Sequence, residues 1–373
     1  MPGRRRFLPH VIALLATAAV QQYPGAQQDE RLEQLHRREG EALIALADAA
    51  LAGQAVPADL TIHWQNDVLK AQQGTFVPFV VTLDPVSPPL SGILLYVRLV
   101  DRSEIRRPAE PGSARRDARP SARPRRDEDT LEPSAVEEVY PIDLRAAPRG
   151  PIRVIRGFAA RTGEYNLVVV ARERVDPARP AAPRRAAVLT KPLTLPDFAH
   201  TELTTSSLIL ADRLTVLSAL PADAQPGERP YLIGLSEIQP AADTVFRRDE
   251  ELIVVFLVYN PFVTPERKFD IEVEYHFFTK TGGRREPDQE VATGGSRPPA
   301  RDGERYFNHT KPQRFTPAIM GPQFDPTAGQ PLMAGQGVPL AAFPEGEYRL
   351  SIKVTDIVTG KSIERDVSFS VVS

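Results

Sequence analysis

The residues best suited to chemistry are few and scattered. Six histidines stand at positions 10, 36, 63, 200, 276 and 309. Imidazole can ligate a metal or carry a proton near neutral pH, but no two of them have metal-ligand spacing and no H-E-x-x-H occurs. His63 and His276 fall in strand-like runs and read as ordinary strand residues. The chain has no cysteine, which removes disulfides, thiol nucleophiles, zinc ribbons and iron–sulfur sites. A serine nucleophile would need a strained elbow. Gly234-Leu235-Ser236-Glu237-Ile238 lacks its second glycine, and Ser206 and Ser207, near His200, have no elbow around them. Gly360-Lys361-Ser362 has the end of a phosphate loop, but Thr355 stands where the first glycine is required, so the triplet reads as a hairpin turn. Asp127-Glu128-Asp129 lacks the glycine and the closing glutamate of a calcium loop. These residues describe a non-enzyme with no catalytic group, no metal and no cofactor.

Two features could bind. Residues 102–126 hold nine arginines against three acids, so Arg106, Arg107, Arg115 and Arg116 could attract an anionic partner such as envelope polysaccharide, with salt-dependent affinity. No aromatic interleaves them, and the whole chain carries 46 basic against 48 acidic residues. Nucleic acid is therefore not an expected partner. Residues 127–138 add six acids and no base, and the stretch 102–138 reads as a disordered, solvated insertion. The second feature is a glycine- and proline-rich loop over 283–344, where Tyr306, Phe307 and His309 could contact a protein, or Tyr306 and Phe307 with Trp64 could form a stacking platform for carbohydrate. The plainer reading is that its aromatics fold back and cover an open sheet edge. A third possibility is a hydrolase with a site between domains.

Elements that would position these residues follow from the rest of the 373-residue chain. Residues 1–26 read as an export signal: Arg4-Arg5-Arg6, an apolar run over 11–20 too short to span a bilayer, and a small-residue site at Ala16-Thr17-Ala18. Sec export is expected, with the twin-arginine route as the other reading, and the destination is the periplasm or the outside. No later apolar stretch reaches the length of a membrane span. Residues 27–55 read as a helix whose Leu32, Leu35, Leu43, Leu46 and Ala50 stripe packs on its own domain, or docks elsewhere. Strand signals then fill 57–198, at 61–65, 76–83, 93–100, 139–144, 152–159, 165–172 and 191–195. They return in 199–373, at 207–210, 214–218, 231–238, 251–259, 269–279, 348–356 and 362–372. Leu252 to Tyr259 is apolar throughout, as in a strand covered on both faces.

The two halves repeat. Val77-Pro78-Phe79-Val80-Val81 matches Ile253-Val254-Val255-Phe256-Leu257, Gly163-Glu164-Tyr165 matches Gly346-Glu347-Tyr348, and 192–195 matches 366–369. The offsets are 176, 183 and 174, so one β unit occurs twice in tandem. Gly163, Tyr165, Gly346 and Tyr348, each tyrosine followed by alternating apolars, resemble the start of strand F in immunoglobulin-like and fibronectin-like sandwiches. That resemblance implies a tyrosine corner at Tyr165 and Tyr348, with Leu167 and Leu350 in place of the usual cysteine. The expected fold is all-β: two tandem immunoglobulin-like sandwiches behind a short N-terminal helix. Residues 344–350, with Lys353-Val354-Thr355-Asp356 and Thr359-Gly360-Lys361-Ser362, also resemble the C-terminal β region of secreted Acidobacteria-type proteins that carry a von Willebrand factor A domain. That domain is absent here. The function these readings imply is protein–protein or cell-envelope interaction.

Overall fold

The computed structural model describes residues 24–102, 136–145, 150–175, 183–222, 225–280 and 298–373, with side chains from Arg37 onward. Residues 1–23 of the expected export segment, the turn at 281–283 and Arg106, Arg107, Arg115 and Arg116 lie outside the described residues, while 24–26, expected to end that segment, open the N-terminal helix.

The first group of strands is β1 (Ile62–Asn66), β2 (Leu69–Lys70), β3 (Thr75–Leu83), β4 (Gly92–Asp101), β5 (Glu137–Asp143), β6 (Ile152–Ala160), β7 (Gly163–Glu173) and β8 (Ala186–Leu195). In one sheet β3 lies between β6 and the β1/β2 pair; the other runs β5-β4-β7-β8. The second group is β9 (Thr204–Thr205), β10 (Ile209–Val216), β11 (Leu232–Ile233), β12 (Ser236–Pro240), β13 (Val245–Arg247), β14 (Glu251–Tyr259), β15 (Ile271–Lys280), β16 (Glu304–His309), β17 (Gln313–Phe315), β18 (Leu332–Pro339), β19 (Gly346–Asp356) and β20 (Ser362–Val372). Its sheets run β11-β12-β10-β14-β18 and β13-β20-β19-β15-β16. The repeat holds strand by strand, because β5-β4-β7-β8 and β16-β15-β19-β20 share one order, as do β6-β3 and β18-β14. Gly163 and Gly346 open the equivalent strands β7 and β19, and Tyr165 and Tyr348 each turn a tyrosine corner there.

The four sheets and one helix stack as layers, and side-chain alternation explains why. On β3, Val77, Phe79, Val81 and Leu83 enter the first sandwich core, while Val80 faces the other way. On β14, Leu252, Val254, Phe256 and Val258 enter the second core, while Val255, Leu257 and Tyr259 face back. The outward sets meet in a third apolar cluster, the seam between the sandwiches. Strands apolar on both faces are thus strands with a layer on each side. β4 and β7 repeat the pattern: Leu94, Tyr96, Val168 and Val170 face outward and are covered by α1 (Pro24–Leu51) through Leu43 and Ala47. The helix packs on its own domain. It closes with Gly53 at φ 69°, and Gln54 and Gly53 donate to the carbonyls of Ala49 and Ala50, a Schellman stop. Among the described residues no helix is long and apolar enough to cross a membrane.

Four expectations need correction. The stretch 283–344 is not one long loop: β16, β17 and β18 lie inside it, and β16 and β17 pair with β15. In β18, Leu332, Ala334 and Val338 point into the core. Gly335 and Gly337 let the strand lie close on β14, where a Cβ would press on the Val254 carbonyl or overlap the Glu251 carboxylate. The run 231–238 is broken at Gly234, φ 60°, into the tight turn between β11 and β12. The strands expected at 207–210 and 214–218 are one strand, β10, with a register shift between Ala211 and Arg213. The charged insertion ends earlier than 138, since Val136 is buried and Glu137 and Glu138 pair with β4.

Candidate interaction surfaces

β16 separates the residues singled out in its sequence. Phe307 turns inward and packs on Phe343 and Tyr348, with ring centroids 4.8 and 5.5 Å away. Tyr306 is half-buried on the opposite face, its hydroxyl 2.9 Å from Nδ1 of the exposed His309, and His309 stacks on His276 of β15. Trp64 belongs to the other sandwich, stacked on Phe79 at 4.5 Å with its indole N–H donating to Asn66. The proposed carbohydrate platform therefore does not form: Trp64 and Phe307 pack into two different cores. Phe307, Phe315 and Phe324 of this segment pack against the second core, and β16 and β17 pair with β15.

The outer face of β15, β19 and β20 is ionic. Arg349 is 3% exposed. Its guanidinium donates to Glu304 at 2.6 and 2.9 Å and to Asp366 at 2.8 Å, and lies over the Phe278 ring at 4.1 Å. Arg301 also bonds Asp366. The Arg349 bonds hold the Glu304 carboxyl below its usual range. These bonds are made within the chain, so the cluster is a closed ion network and not an open receptor for an anion.

Ser206, Ser207 and His200 lie at the seam between the sandwiches, where a hydrolase site would sit. Ser206 Oγ donates to the Ser207 carbonyl and accepts from Leu257 N–H at 2.9 Å. Ser207 Oγ accepts from Val68 N–H at 2.9 Å. Among the described residues no hydrogen bond joins either serine to His200, which is exposed. Ser207 bonds across the seam, and the Ser206 bonds lie within the second half. Beside them Asp67 is buried, accepts from the Tyr231 hydroxyl at 2.8 Å, and is bonded by Ser207; burial pushes its carboxyl up to about 6.

One surface went unnoticed in the sequence. β10 pairs with β14 only over Ile209–Ala211. Beyond the bulge it continues as a hairpin with β12, and Asp212 to Val216 are exposed. Leu214 is 37%, Val216 74%, Leu220 61% and Leu235 43% exposed. An apolar group of this kind on a projecting strand is a contact surface in search of cover.

No family model matches this chain, and no curated protein matches it. Among solved structures it is similar to Escherichia coli alpha-2-macroglobulin activated by porcine elastase, with 13% identity and a TM-score of 0.18. The likeness covers 86% of this chain and 24% of that one. The chain thus spans about a quarter of that protein, and a score this low carries no argument about fold or function.

Proposed function

We propose that this is an exported, non-enzymatic protein that binds a protein partner, with the β10–β12 hairpin as its contact. The observation that supports this reading is the hairpin itself, which carries Leu214 and Val216 into solvent beyond the edge of β14. A strand with one edge unpaired and apolar side chains on one face offers backbone groups and pockets to an added strand. The second sandwich, from which the strand runs out, supplies its base. The export reading rests on residues 1–26.

The test compares the full chain with a Leu214→Glu/Val216→Glu variant, each immobilised and exposed to envelope and secreted protein fractions. A protein captured by the wild type and at least tenfold less by the variant is the expected result. Equal capture by both would move the contact off the hairpin, and capture of nothing would sink the reading.

A further inference from the structure

The seam between the sandwiches is built on an apolar cluster, and among the polar groups beside it one is a buried carboxyl. Asp67, on the link from β1 to β2, is 7% exposed and lies beside the cluster formed by Leu69, Val80, Phe198, Tyr231, Leu257 and their neighbours. Its described hydrogen-bond donors are hydroxyls, those of Tyr231 and Ser207, and both belong to the second half of the chain. This buried carboxyl is therefore bonded across the joint.

We propose that Asp67 is a protonation latch on the joint: with its carboxyl neutral the sandwiches stay closed as seen, and with its carboxyl ionised the seam loosens and they part. A buried carboxylate without a cation in contact is costly in an apolar surrounding, and two hydroxyl donors offset only part of that cost. Opening the seam lets water reach the charge. Burial places the titration near pH 6.

Other charged groups face the same place. Asp197 and His200 come from the link between the sandwiches, and Arg365 and Asp366 from β20. Arg153 of β6 donates to the carbonyls of Pro240 and Ala241 across the seam. Lys70 of β2 is held by Asn260 at 3.0 Å. Of these, His200 is the histidine beside the carboxyl, so it needs its own control.

The absence of native cysteine allows site-specific spin labels on the full chain. Thr190→Cys on β8 and Ser362→Cys on β20 are both at exposed positions. The expected result is one narrow inter-label distance at pH 5 that broadens toward longer values at pH 7.5, with a midpoint near pH 6. Asp67→Asn should stay narrow at both pH values, and His200→Gln should behave as the wild type. Tyr231→Phe removes a donor to the carboxylate and should move the midpoint to higher pH, which keeps the idea testable if Asp67→Asn misfolds. A wild-type distribution unchanged between pH 5 and 7.5 would overturn the proposal, as would broadening that survives in Asp67→Asn or vanishes in His200→Gln.

Discussion

Tyr165 and Tyr348 hold equivalent places in the two sandwiches: each hydroxyl donates to the carbonyl four residues upstream, of Arg161 at 3.0 Å and of Pro344 at 2.7 Å. The bond pins the chain as it enters β7 and β19. The two sites differ in packing. Tyr348 sits in an aromatic cluster with Phe307, Phe343 and Phe369. Removing only the hydroxyl leaves a carbonyl short of its donor, at about 1 kcal/mol per site. Tyr165→Phe and Tyr348→Phe should each lower stability by that amount in urea melts. Tyr348→Ala should cost about 3–5 kcal/mol, because it also empties the cluster.

Gly157 of β6 lies where the two sandwiches touch. Its N–H donates to the Gly227 carbonyl at 3.1 Å, and a Cβ there would stand 2.7 Å from the Phe76 ring and 2.8 Å from Pro230. One neighbour is a ring in the seam and the other a proline, so neither yields easily. Gly157→Ala should destabilise by about 1–3 kcal/mol and speed proteolysis of the 196–208 link. Unchanged melting and unchanged cleavage would show that the seam is looser than its packing.

Much of this architecture was legible beforehand, and particular residues show where legibility stopped. Leu252–Tyr259 announced a layer on each face because apolar side chains at every position leave no wet side. The corners followed from Gly-Glu-Tyr occurring twice. β18 stayed hidden because Gly335, Gln336 and Gly337 read as loop; its place is set by β14 and not by its own propensity. The exposure of Leu214 and Val216 was invisible because alternation on a strand says which residues share a face, not whether that face is covered. Asp67, between Asn66 and Val68, reads as a turn residue, and only the approach of Tyr231 from 164 positions away buries it.

Glu304 and Asp67 should give the acid limb opposite signs. Glu304 is held below its usual range by Arg349, so the unfolded chain binds more protons there. That contribution is present above the unfolded value and lost as pH falls through the folded one. Asp67 is raised from 3.8 to about 6, so the folded chain holds the extra proton, and stability falls as pH rises across that interval by roughly 3 kcal/mol. Asp67→Asn should therefore melt higher than the wild type at pH 7 and not at pH 4. Glu304→Gln should flatten the loss below pH 5. Parallel melting curves for wild type and Asp67→Asn from pH 4 to 7 would show that the carboxyl is not buried as described.

The outermost layer depends on α1. Leu43 and Ala47, both fully buried, cover Leu94, Tyr96, Val168 and Val170. Glu39 accepts from the Val175 N–H at 2.9 Å, and Arg98 donates to Asp48 at 2.8 Å. The ion pair is partly exposed and contributes little on its own. The apolar contact carries the attachment, and Leu43→Ala should cost about 2–5 kcal/mol. A detached helix leaves the apolar sheet face of Leu94, Tyr96, Val168 and Val170 open to water, which favours self-association. Leu43→Ala should therefore raise the light-scattering mass with concentration, while Asp48→Ala should leave both mass and melting close to wild type. If Leu43→Ala stays monomeric and melts with the wild type, the helix is an ornament on the sheet and not its cover.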